Sequence, residues 1–143
     1  MDEVVIRFQK LSDRACLPSF AFEDDACFDL FSPVDACISP GESVIIDLEI
    51  ASEFPPGYEV VLRPRSGMGI KHGIIIHLGT IDAGYRGSWI VRLFNLGKEM
   101  YRIQRGNRIV QAALRPIPKV KIVETHSLSP SLRGERGLGS TGK

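Results

Sequence analysis

The chain has 143 residues, of which 43% are apolar and 24% charged, and its net charge is +1 at pH 7. That length fits one domain with a core large enough to fold without disulfide or metal staples. The near-neutral charge excludes a bulk field recruiting nucleic acid or anionic lipid, and no stretch approaches the ~18 apolar residues of a membrane span.

Met1-Asp2-Glu3 opens no signal-peptide pattern, so a cytoplasmic protein is expected. Val4, Ile6 and Phe8 alternate with Val5 and Arg7, the pattern of a half-buried strand. Leu11 to Glu23 reads as a loop. Cys16, Cys27 and Cys37 contain no Cys-x-x-Cys pair, so each is expected to be a small buried apolar residue. Ala26 to Phe31 is a short apolar run broken by Asp29. Ser39-Pro40-Gly41-Glu42 and Pro55-Pro56-Gly57 are turns, followed by strands Ser43 to Leu48 and Tyr58 to Leu62. Pro64 to Gly73, with three glycines, reads as a loop. Ile74 to Ile76 and Trp89 to Phe94 read as two strands joined by a long hairpin loop around Gly79–Gly87. Further turns fall near Gly97-Lys98-Glu99 and Arg105-Gly106-Asn107, with last strands at Arg108 to Leu114 and Val120 to Val123. Many short strands between Gly/Pro turns, with no sustained helical period, predict an all-β sandwich, jelly roll or barrel.

The tail differs from the rest. Ser127 to Lys143 carries four glycines, four serines and three cations, with no aromatic residue. It is expected to be mobile on its own. Residues 1–126 then form the β-barrel core and 127–143 a flexible glycine-rich tail.

Chemistry-bearing residues fall into a few clusters. Asp82 and Tyr85 lie three positions apart in the central loop, an acid for proton transfer beside a flat face for stacking. Arg65-Ser66-Gly67 offers a guanidinium fork, a hydroxyl and an unobstructed amide, which together bind phosphate oxygens or make an ordinary surface turn. Gln111, an amide in an apolar strand, needs a partner, either protein or ligand. Asp29 is either a solvated strand residue or a helper for a hard cation. His72 reads as structural and His77 as a contact near the hairpin tip. No Gly-x-x-x-x-Gly-Lys-Ser/Thr, Gly-x-Gly-x-x-Gly or His-x-Glu pattern occurs.

Taken in order, these clusters resemble the five motifs of the homotrimeric dUTP pyrophosphatase (dUTPase) family. The motifs stand at Ala26-Cys27-Phe28-Asp29-Leu30, at Pro64 to Gly69, at Gly79 to Gly87, at Gly106 to Gln111, and at Arg133 to Gly142 ending Gly-Ser-Thr-Gly. The resemblance implies hydrolysis of dUTP to dUMP and pyrophosphate, which limits uracil in DNA and supplies dUMP for thymidylate synthesis. It implies that Asp82 activates the attacking water and that Tyr85 stacks on the deoxyribose, leaving no room for a 2′-hydroxyl. The hairpin from His77 to Ile90, with Leu78, Gly79, Thr80 and Ile81, would read the uracil edge. Arg65, Ser66, Gly67 and Gln111 would contact the phosphates. Asp29 would position Mg2+ through water. Arg133, Leu138, Gly139, Ser140 and Thr141 would close over the site. It further implies a jelly roll in a three-fold trimer whose chains share each active site.

Three positions depart from the family pattern. Cys27 stands where glycine is usual, Arg136 replaces a glycine, and Leu138 replaces the phenylalanine that stacks on uracil. Two rivals remain: a dCTP deaminase on a similar scaffold, and a catalytically silent nucleotide-binding regulator. A nucleic-acid module is not expected, because no aromatic-basic stripe accompanies the near-neutral charge.

Overall fold

Alternation at the N-terminus survives folding. In the computed structural model, which describes residues 3–142, Ile6 and Phe8 pack against the core while Val5 and Arg7 face solvent. Strand β1 (Arg7–Lys10) pairs antiparallel with β5 (Ile50–Glu53), so that Arg7 lies opposite Glu53. A four-stranded sheet runs in the order β2 (Phe28–Phe31), β11 (Arg108–Pro116), β6 (Tyr58–Arg63), β8 (Gly79–Asp82). A three-stranded sheet runs β4 (Ser43–Asp47), β9 (Ile90–Asn95), β7 (Ile74–Ile76). The pair β3 (Ala36–Ile38) and β10 (Tyr101–Ile103) completes an antiparallel, jelly-roll-like fold.

Between the sheets lies a core of Leu30, Ile46, Val60, Leu62, Trp89, Val91, Leu93, Ile109 and Val110, all almost fully buried. Trp89 is its largest member. Its indole Nε1 donates to Ser52 Oγ at 3.2 Å, and Phe8 meets it edge-on at 5.2 Å. Asn95, fully buried, is satisfied on all sides. Its Nδ2 donates to the carbonyls of Ile38 (2.8 Å) and Glu99 (2.7 Å), and its Oδ1 accepts from the Gly97 amide (2.9 Å).

Several expectations need correction. Pro64 to Gly73 is not all loop, because Ser66–His72 forms helix α1. The helix begins after extended Arg65, buries Met68, and ends at Gly73 (φ 69°), whose amide bonds back to the Gly69 carbonyl. Two turns are too short to show a period, and Gly67 and Gly69 are poor helix formers. The β7–β9 hairpin exists, but its loop is partly a strand: β8 leaves that sheet and joins β6. Strands β3, β5 and β10 lie where no strand was expected. Val120 to Val123 forms no strand and is largely exposed, because no neighbouring edge within the chain pairs with it. The cysteines are not buried: Cys16 and Cys27 are half-buried and Cys37 is exposed. No helix among the described residues is long and apolar enough to cross a membrane.

Candidate active site

Two of the pockets, which share no residue, gather the motif side chains of the core. The first, about 300 Å3, is lined by Asp25, Cys27, Asp29, Arg65, Ser66, Gly67 and Gln111, with Ala21 and Ala26. Strands β2, β11 and β6 align its centre, since Gln111 lies opposite both Asp29 and Arg63. Asp29, nearly buried, receives Arg65 Nε at 3.3 Å and Arg108 Nε at 3.0 Å. Arg65 is further fixed by a bond from Nη1 to the Arg108 carbonyl (3.2 Å), and the Arg108 guanidinium lies 5.2 Å from the Phe31 ring centre. The two arginines on Asp29 offer guanidinium donors to an anion, with the Asp25 carboxylate on the same lining. Gln111 Nε2 donates to the Pro64 carbonyl at 2.9 Å, so the amide has a protein partner and holds the turn before Arg65. Ser66 and Gly67 are exposed at the first turn of α1, where amides lack helical partners.

A second pocket, about 230 Å3, is lined by Leu62, His77, Gly79, Thr80, Ile81, Asp82, Tyr85, Ser88 and Ile90. It gathers most of the central hairpin. His77 is tied to β9 twice: its amide donates to the Arg92 carbonyl, and its Nδ1 accepts from the Arg92 amide, each at 3.1 Å. That leaves Nε2 as the protonated nitrogen of the neutral ring. Leu78 points into solvent at 91% exposure and does not line the pocket. Asp82, at the end of β8, is exposed, and none of the ion pairs among the described residues engages it. Tyr85 folds back so that Oη donates to the Ser88 carbonyl at 2.9 Å. Arg86, which sequence reasoning did not single out, donates from Nη1 to the Ala83 carbonyl (2.7 Å) and holds the turn between Asp82 and Tyr85.

Within one chain the two pockets are incomplete. The second holds the carboxylate and the aromatic ring but no Lys or Arg. The first holds Arg65, with Arg108 reaching Asp29 beside it, but no aromatic ring. Register separates them: Arg63 pairs with Gln111, whereas Glu59, four residues back on β6, pairs with Asp82. At ~3.3 Å per residue and ~4.8 Å per strand, Gln111 and Asp82 lie roughly 16 Å apart along the sheet. The tail reaches neither pocket. Arg133, Gly139, Ser140 and Thr141 are exposed and Leu138 is bare. Locally the tail is tied by a reciprocal pair, Arg133 Nε to the Arg136 carbonyl and Arg136 Nε to the Arg133 carbonyl, both 2.9 Å.

Comparison with known proteins places the fold and the motifs in a family. The dUTPase family model matches residues 13–142. A deoxyuridine 5′-triphosphate nucleotidohydrolase from Clostridium tetani (strain Massachusetts / E88) is 42% identical over 145 residues, covering 100% of both chains. One from Clostridium acetobutylicum is 44% identical over 141 residues, covering 97% of each. Among solved structures, the Staphylococcus bacteriophage 80alpha dUTPase with dUPNHPP superposes with a TM-score of 0.89 at 29% identity, covering 97% of this chain and 99% of that one. Motif order, strand topology and full-length similarity converge, and the chain belongs to the dUTPase family.

Proposed function

We propose that the protein hydrolyses dUTP to dUMP and pyrophosphate. The observation that carries this is the Gly79–Gly87 segment, which sets one unpaired carboxylate, Asp82, beside an anchored aromatic ring, Tyr85, in a narrow pocket of a dUTPase-family chain. Asp82 takes a proton from water as its oxygen bonds to the α-phosphorus. The bond from that phosphorus to the bridging oxygen breaks, and pyrophosphate leaves with the electron pair. Charge grows on the leaving oxygens, where Arg65, Ser66, the Gly67 amide and Gln111 stabilise it. The backbone of His77 to Ile81 and of Ile90 selects uracil: narrowness rejects a 5-methyl group, and donor pattern rejects cytosine.

The family resemblance implies a homotrimer, and the division of this machinery between two pockets suits one in which one chain supplies the Asp82 pocket and another the Arg65 pocket. Cyclic closure repeats such a head-to-tail contact at every site. The exposed tail then crosses to a site on a neighbouring chain, placing Arg133 and Gly139 to Thr141 on the outer phosphates and Leu138 over the base. Residues 1–126 are the catalytic core and 127–143 the closing tail.

The residues of the first pocket fit Mg2+ only as an ion carried by the triphosphate. Among the described residues, no three His, Cys, Asp or Glu side chains converge to hold a metal. Asp29 is already engaged by two guanidiniums, so it contacts such an ion through water. When bound, the ion offsets phosphate charge. A cytoplasmic site of action suits a nucleotide substrate.

The comparisons do not favour the deaminase or the silent regulator. Pyrophosphate release from dUTP, dTTP, dCTP and UTP, with and without Mg2+, tests the proposal. Release from dUTP alone, dependent on Mg2+, supports it; ammonia from dCTP, or no turnover of dUTP, overturns it.

A further inference from the structure

Tyr85 stacks usefully only if its ring is held in one plane, and the structure shows what holds it. Gly87 lies directly beneath the ring. A Cβ there would approach Tyr85 Oη to 2.4 Å, Cζ to 2.5 Å and Cε2 to 2.8 Å, so the ring occupies the space any other residue would need. The backbone of Gly87 does not have positive φ, so alanine fits its conformation. Of the two groups in conflict, the outer end of the tyrosine is the one able to move. The opposite anchor is the Ser88 carbonyl, which accepts Tyr85 Oη. Ser88 is braced in turn, since its Oγ donates to Asp47 Oδ1 at the end of β4. The same oxygen accepts the Glu49 amide at 2.8 Å, which ties the brace to the turn before β5.

We infer that Gly87, with the Ser88–Asp47 brace, determines sugar specificity by fixing the plane of the Tyr85 ring against which a 2′-hydroxyl would collide. The inference rests on Tyr85 as the sugar's stacking partner. Gly87 touches no substrate in this arrangement. It is a positioning residue, and its effect passes through the tyrosine.

Gly87→Ala, Ser88→Ala, Tyr85→Ala and the Tyr85→Ala/Gly87→Ala double variant of the full chain are assayed with dUTP and UTP. The quantity read is the ratio of kcat/KM for the two substrates. Gly87→Ala is expected to lower that ratio about tenfold, the scale of a small misplacement in a binding site. Ser88→Ala is expected to lower it less, about threefold, because the carbonyl stays and only its brace is lost. In the Tyr85→Ala background, Gly87→Ala should change nothing further, since the colliding ring is gone. An unchanged ratio in folded Gly87→Ala overturns the inference, as does a full additional loss in the double variant. If Gly87→Ala does not fold, Ser88→Ala decides, and an unchanged ratio there has the same force. Wild-type enzyme that uses UTP as well as dUTP would instead defeat the Tyr85 assignment itself.

Discussion

Asp82 stands exposed at the end of β8, outside every ion pair among the described residues, so its carboxylate is open to water and to a proton. Replacing it with the isosteric amide removes the proposed base and leaves the pocket shape. Asp82→Asn is expected to lower kcat by about 10²–10⁴-fold, the usual worth of a general base, while calorimetry still detects dUTP binding. Retained turnover would refute the assignment. Leu138 behaves differently. It is fully exposed within its own chain and has no aromatic face to offer a base. Leu138→Phe should tighten the substrate complex by no more than the ~0.5–1.5 kcal/mol that stacking adds beyond area, read as a change in Kd of at most about tenfold. Motif order singled out Asp82, Tyr85, Arg65, Ser66 and Gln111 in the sequence, and the fold lines two pockets with them. The double engagement of Asp29 was not legible there. Arg65 and Arg108 are far apart along the chain, and the pairing of β11 with both β2 and β6 brings them to it.

At the scale of elements, helix α1 meets the β9–β10 connection through two glycines. A Cβ at Gly73 would lie 2.7 Å from the Gly97 amide nitrogen, and one at Gly97 would lie 2.4 Å from the His72 carbonyl oxygen. Both obstacles are backbone, and Gly73 also has φ 69°. Gly73→Ala is therefore expected to cost about 2 kcal/mol or more, visible as a lower Tm; an unchanged melt would show that the contact yields. The turn between β4 and β5 offers a pH test. Glu49, at φ 55°, accepts a hydrogen bond from Ser12 Oγ at 2.5 Å and pairs with Arg14. The Ser12 bond first, and Arg14 after it, hold the Glu49 carboxyl below its ordinary value of 4.5 despite opposing desolvation and the charge of Asp47. A depressed folded pKa contributes stability above the unfolded value and loses it as pH falls through the folded one. The stability gap between wild type and Glu49→Gln should be constant near neutrality and shrink below pH 4.5 in denaturant titrations. A gap that widens on acidification would reverse the sign. Turn chemistry made most strands legible, as at Pro55-Pro56-Gly57 before β6. It missed α1 because two glycine-containing turns carry no period.

For the whole molecule, sequence patterning stated which stretches suit a sheet but not which chain supplies the neighbour. Val120 to Val123 has strand character, yet it lies exposed and unpaired in the single chain. The same holds for the site, whose carboxylate and arginine pockets are each complete in fold and incomplete in chemistry. Sharing between chains, as proposed above, would bring the two pockets together. Subunit mixing tests it most directly: Asp82→Asn and Arg65→Ala chains, each inactive alone, are unfolded, combined in equal amounts and refolded, and dUTP hydrolysis is measured. If base and phosphate grip come from different chains, random reassembly restores about a quarter of wild-type activity. A mixture as inactive as its parents, in trimers shown to have exchanged subunits, would place the whole site within one chain and contradict the shared assembly.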